Sequence, residues 1–169
     1  MRAISLWQPH ASFIMLGVKP YETRSWAAHR PLIGKRIWIH AAKAKDDILE
    51  LAEYCEDLRD GLPPEEPYET FRRVLVEGGF TKFSDIPLGC ILGSAMLAWS
   101  RPTTQIPNPG PFGDFSPGRY AWHMTEIIPL RTPVPFKGMQ GFFDVPDDLP
   151  GLHDVSQDQM MIEKTFQEV

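Results

Sequence analysis

The sequence predicts an α+β fold: a small mixed β-barrel with a short N-terminal helix and a helical insertion packed on one side. Three observations predict it. At least five segments alternate apolar and polar residues with a period of two, the pattern of half-buried strands. One amphipathic region, about 46–79, departs from that pattern and takes a helical period instead. Prolines are frequent, 17 of 169 residues, which suits a loop-rich barrel better than a helical bundle. The length is enough for one domain with its own core. We place that domain at residues 1–147 and an acidic C-terminal tail at 148–169.

The elements follow in order. Ala3 to Leu6 reads as a first strand. Trp7-Gln8-Pro9 turns the chain into a helix over His10–Leu16, with Phe13, Ile14 and Leu16 for the core and Gly17 as a left-handed stop. The free amides at the start of such a helix can hold a phosphate or carboxylate. Tyr21 to Trp26 reads as a strand, with Glu22, Arg24 and Trp26 on one face and Tyr21, Thr23 and Ser25 on the other. Lys35–Ala42 is the next strand; Ile37 and Ile39 face the core, while Trp38 and His40 share the other face, toward a second core layer or a cleft.

Asp46–Asp60 carries the apolar stripe Ile48, Leu51, Ala52, Cys55 and Leu58 with a capping pair, Asp47 and Glu50, and so predicts a helix. A second helix is expected near Tyr68–Glu77, ended by Gly78-Gly79. Ile91–Trp99 reads as a strand with a close-approach glycine at Gly93. Arg101–Gly118 is a long Pro- and Gly-rich loop, a length that is usually functional or mobile, and we expect it to cover a cleft. Arg119–Ile128 is the strand that follows, and Met160–Phe166 allows a short terminal helix.

Several function classes drop out. No apolar run reaches the roughly 18 residues of a membrane span, and no secretory leader opens the chain, so we expect a cytoplasmic protein with no membrane partner. Cys55 and Cys90 show no metal-type spacing and read as reduced buried thiols. His29 and His40 have no regular ligand spacing either, so neither a metal site nor a cofactor is expected.

The net charge of −5 hides a polarity. Residues 1–45 carry eight Lys/Arg against the single acid Glu22, a local +7, while residues 46–86 carry four against twelve, a local −8. Fields are local and screened within about 10 Å, so the first segment invites a polyanion despite the total. The acidic helices offer a weaker surface for a protein partner.

The densest chemistry lies in Gly17-Val18-Lys19-Pro20-Tyr21-Glu22-Thr23-Arg24-Ser25-Trp26. Lys19, Glu22 and Arg24 place two cations and an anion together at a helix-to-strand corner. A solvated ion pair on an edge strand is the ordinary alternative. Two further motifs weigh against it: Trp7-Gln8-Pro9 before this stretch, and Gly118-Arg119-Tyr120-Ala121-Trp122 after it.

Together, in that order, the three motifs resemble the ASCH domain family (activating signal cointegrator-1 homology) of the PUA-like superfamily, over about Ala3–Pro146. The resemblance implies a PUA-like barrel and an RNA- or nucleoside-binding module, with a cleft built around Lys19, Glu22 and Arg24. Trp7, Gln8, Lys19, Arg24, Ser25, Trp26, Lys43, Arg119 and Tyr120 are the expected ligand-binding residues: cations for phosphates, Trp7, Trp26 and Tyr120 as stacking faces.

The resemblance also implies an alternative, a metal-independent hydrolase acting on acylated cytidine nucleosides (an amidohydrolase) or on RNA (a ribonuclease). In the deacetylating members a threonine nucleophile stands where this chain has Glu22. The resemblance then leaves a general acid–base site, with Glu22 positioning a water or hydroxyl and Lys19 or Arg24 stabilising the developing anion. A coactivator-like protein-interaction module is the third reading.

Overall fold

A computed structural model of the chain describes residues 1–44, 46–52, 57–59 and 66–155. Among the described residues the strands and α-helices follow in the order β1 (Arg2–Leu6), α1 (His10–Met15), β2 (Tyr21–Arg24), β3 (Lys35–Ala41), α2 (Asp46–Ala52), α3 (Tyr68–Glu77), β4 (Cys90–Pro102), β5 (Tyr120–Pro135) and β6 (Phe142–Asp144). The strands form one six-stranded mixed sheet in the order β2-β5-β4-β3-β1-β6. Only β1 and β3 run parallel; the other neighbours are antiparallel. The fold is the α+β class expected, a curled mixed sheet with a short N-terminal helix and a helical insertion.

By pairing, the sheet stops short of a closed barrel, because β2 and β6 remain edges. Side chains bridge the gap instead. Arg24 Nη2 donates to the Ser5 carbonyl at 3.0 Å, and the Trp26 ring meets Phe142 edge-on at 6.0 Å.

Sequence periodicity explains the three apolar layers. Inside the curl, Ile4 and Leu6 of β1, Ile37 and Ile39 of β3, Leu97 of β4 and Trp122 of β5 pack on Ile14 of α1. On the helical side, Phe13 joins Leu51, Leu58, Phe71, Leu75 and Phe112. On the third side, Trp38, Ile91, Leu130 and Val134 pack on Phe143 and Leu152. Trp38 and His40 thus do share a face, one in this layer and the other at a cleft. Burying each large side chain contributes on the order of 2–3 kcal/mol.

Helix α1 ends as the sequence predicts. Gly17 takes φ +74°, its N–H bonds to Ile14 O and Val18 N–H to Phe13 O, the double closure that favours glycine at this position. Pro9 stands at the N-cap, one position before the first turn. Gly93 lies at a register shift of β4, and a Cβ there would stand 2.4 Å from Ile128 O.

Three expectations change. Strand β2 stops at Arg24, so Ser25 and Trp26 lie beyond it. Strands β4 and β5 extend well past the predicted segments, to Pro102 and Pro135. Residues 148–155 carry Leu149, Leu152 and Val155 onto the third layer, with Leu130 and Val155 bridging. The second predicted helix matches α3. The first is described only as Asp46–Ala52; Cys55, the side chains of Asp47 and Glu50, and Met160–Phe166 lie outside the described residues. Among the described residues, no helix is long and apolar enough to cross a membrane.

Candidate functional site

The first cleft, about 460 Å³, opens beside the edge strand β2. It is lined by Trp7, His10, Lys19, Glu22, Thr23, Arg24 and Arg119, with Pro67 and Phe71 from the insertion and Pro111, Gly113 and Asp114 from the long loop. Its floor is an ion cluster. Lys19 is 2% exposed and Glu22 7%. The Lys19 ammonium donates to Tyr21 O at 2.7 Å and to Glu22 Oε2 at 2.8 Å, which uses two of its three donors. Arg24 Nε stands 2.9 Å from Glu22 Oε1; its N–H is not aligned on that oxygen, so the contact is an ion pair more than a hydrogen bond.

The local sequence forces this geometry. Lys19 follows the α1 stop, and its backbone N–H bonds to Phe13 O, which turns its stem inward. Glu22 is three residues on, opposite Trp122 of β5. Burial alone would raise the Glu22 pKa, but Lys19 and then Arg24 outweigh it and hold the carboxyl below its ordinary value. His10 is pushed the other way from a useful cation: burial, then the Lys19 charge, bring it down to about 4. At neutral pH the floor therefore holds a carboxylate, two cations and a neutral imidazole.

Thr23 alternates with Glu22 along β2 as predicted, and its side chain lies by Gly113 and Phe115, where the Tyr21 ring also stands. Thr23 nonetheless lines the same cleft as Glu22, because β2 is an edge strand whose unpaired side is also part of the wall. Its Oγ1 accepts from Asp114 N–H at 3.1 Å. Arg119 binds the same loop, with Nε 3.2 Å from the Asp114 carboxylate and Nη2 3.4 Å from Thr23 O.

The loop expected to be a cover is instead anchored as a wall. Phe112 is buried between Phe13 and Phe71, with ring centroids at 4.8 and 5.9 Å. Thr103 Oγ1 donates to Ser116 O at 2.8 Å.

The structure brings Trp7, Lys19, Glu22, Arg24 and Arg119 together, and leaves the other expected residues elsewhere. Gln8 is fully buried and caps α1: its Oε1 accepts from Ser12 N–H at 3.0 Å and its Nε2 donates to Pro87 O at 2.8 Å. Two other early amides bond to Trp7 O and Pro9 O, so these are not open to an anion. Ser25 is exposed and lines no described cleft. Trp26 lines a separate recess with Ile4, Arg24, Gln140 and Gly141, its edge on Trp122 at 4.6 Å. Tyr120 packs against the inner core.

Lys43 and His40 line a second, larger cleft, and Trp7 and Arg24 line both. Trp7 is 54% exposed, an indole on the ridge between them.

His10, Pro67, Phe71, Pro111, Gly113 and Asp114 are the lining residues that the motifs did not announce. Only His10 carried a signal, its i, i+3 and i+4 relation to Phe13 and Ile14 on the inward face of α1. Among the described residues no group of three or more His, Cys, Asp or Glu could hold a metal ion.

No protein-family model and no curated protein matches the chain. Among the solved structures that match it, three do so along almost its whole length. One is ASCH from Zymomonas mobilis, 14% identical, covering 95% of this chain and 93% of that one, with a TM-score of 0.48. The others are two point-mutant forms of the ZmASCH protein from the same organism. Each is 15% identical with a TM-score of 0.48; they cover 97% and 98% of this chain, and 96% and 94% of theirs. Similarity at that level carries no argument about activity or residues.

Proposed function

We propose that this chain is an RNA- or nucleoside-binding module. The observation that carries the proposal is Trp7, a half-exposed indole at the mouth of a cleft floored by the buried Lys19 and Glu22 and the partly exposed Arg24. An exposed tryptophan supplies a stacking face for a base. Below it, Lys19 and Arg24 offer donors and Glu22 and Asp114 offer acceptors, the mixture that the edge of a nucleobase requires.

Fluorescence anisotropy with short single-stranded RNA tests it. Trp7→Ala should weaken binding about tenfold or more, since base–aromatic stacking is worth about 1–3 kcal/mol. Binding by the variant at wild-type strength, or none by the wild type, overturns the reading.

A hydrolase is the second reading, and Thr23 is what favours it. It lines the cleft with Lys19 and Glu22, whereas Glu22, held below its ordinary pKa, is a weakened base. On this reading Thr23→Val abolishes turnover of an acylated cytidine. Turnover that survives Thr23→Val but is lost in Glu22→Gln would return the role to the carboxylate. No turnover by the wild type leaves the binding module alone.

A further inference from the structure

The second cleft, about 940 Å³, lies across the Trp7–Arg24 ridge from the first. Its walls are the ends of β1 and β3, Gly89, and the segment 135–141. Its charged lining residues are Arg24, Lys43 and Lys137, with no aspartate or glutamate among the described lining residues. The first cleft, by contrast, sets Glu22 and Asp114 against its cations. Arg24 is offset in part by Glu22 behind it, but Lys43 and Lys137 meet no acid in this lining, and an anion between the three removes the cost of gathering them.

The fold fixes the backbone that carries these cations. The Lys43 stem lies across Gly89, where a Cβ would come within 2.8 Å of its Cε and 2.9 Å of its Cγ. Arg24 is fixed from two sides, by Ser5 O and by Glu22.

Lys137 sits between two pinned neighbours. The Phe136 carbonyl can only accept, so His40 Nε2 donates to it at 3.0 Å. With that nitrogen protonated in a neutral ring, Nδ1 accepts the Ser5 hydroxyl proton at 2.9 Å. Gly138 packs onto this pair; a Cβ there would stand 2.3 Å from His40 Cε1 and 2.5 Å from Ser5 Oγ. The Ser5–His40–Phe136 chain therefore fastens the segment that carries Lys137, and Gly138 covers the serine hydroxyl.

We propose that this second cleft is a phosphoryl-binding subsite, in which Arg24, Lys43 and Lys137 hold a phosphate of a nucleotide whose base stacks on Trp7. The proposal rests on the nucleobase reading of the first cleft and narrows it: the ligand is a phosphorylated nucleotide or an RNA chain, not a free nucleoside. Trp7 and Arg24, the ridge between the clefts, line both of them, so a single ligand can span them.

Calorimetric titration of the whole chain with cytidine, cytidine 5′-monophosphate, a cytidine dinucleotide and inorganic pyrophosphate tests it. The two phosphorylated nucleosides should bind at least about tenfold tighter than cytidine, because charge-assisted contacts to phosphate are the strong ones. Lys43→Gln with Lys137→Gln should abolish that difference, and Lys43→Arg with Lys137→Arg should keep it. A preference for the dinucleotide over the monophosphate marks an RNA backbone as the source of the phosphate; the reverse marks a mononucleotide. Equal binding of cytidine and its phosphates, or a preference that survives in the glutamine variant, overturns the subsite. Pyrophosphate binding lost in that variant, with no cytidine or nucleotide bound, keeps the anion subsite and overturns the nucleobase reading. No binding of pyrophosphate or nucleotide overturns both.

Discussion

His10 shows how a single residue reports on the site. In the unfolded chain its imidazole has the ordinary value of 6.5; in the cleft, burial and then Lys19 bring it down to about 4, against the pull of Glu22. The folded form thus binds fewer protons than the unfolded form between those values, and stability falls as pH falls through that window. It is fully present above about 6.5 and lost toward 4, a loss of at most about 3 kcal/mol for this group.

His40 and His123 are lowered by burial too and act in the same direction, starting from the same 6.5. Glu22 follows: its own contribution is present above the ordinary 4.5 and is lost as pH falls through its lower folded value. Urea melts at about pH 7, about pH 5.5 and about pH 4.5 should show a steady decline. His10→Phe, which keeps the edge contacts to Phe13 and Phe71, should flatten it. A wild-type midpoint that does not move with pH, or a variant with the same slope, would show that His10 is not the desolvated group described.

At the scale of elements, what was legible in the sequence was whatever repeats or punctuates. Alternation along β3 separated Ile37 and Ile39 from Trp38 and His40 correctly, and Gly78-Gly79 marked the end of α3 at the right place. The ion cluster was legible because Lys19, Glu22 and Arg24 are near neighbours in the chain. Face assignment held at Thr23 but did not reveal that Thr23 lines the cleft, because period two tells only which side of a sheet a residue takes. It does not tell that β2 is an edge, where the unpaired side becomes cleft wall as well. Trp26 failed for another reason: the strand ended two residues early, and the indole turned to pack on Trp122. The long loop misled differently. Its Pro and Gly content spoke of irregular backbone, whereas Phe112, a single apolar residue within it, decided that it would be fastened into the helical core. Long-range partners such as Asp114 for Thr23, 91 residues apart, have no local signature at all.

At the scale of the molecule, the charge polarity has to be corrected for pairing before it predicts anything about polyanions. Residues 1–45 carry a local +7, yet several of those cations are already engaged. Arg2 pairs with Asp144, Arg36 with Glu126, and Lys19 and Arg24 share Glu22. The cations aimed at a bound strand are then Lys43 and Lys137, joined on the two clefts by Arg119 and by Arg24, which Glu22 offsets in part. Arg119 is itself partly offset by Asp114. A single strand held by three or four such groups releases counterions in proportion, so the logarithm of the RNA association constant should fall with the logarithm of salt at a slope of about −2 to −3. A slope steeper than about −5 would mean that the whole basic segment is the footprint and the paired arginines are freed on binding. Lys43→Gln should make the slope shallower by about 0.7, whereas Arg36→Gln, away from both clefts, should leave it where it was. Binding that is flat from low to high salt would remove the phosphate contacts, and with them the polyanion reading of this surface.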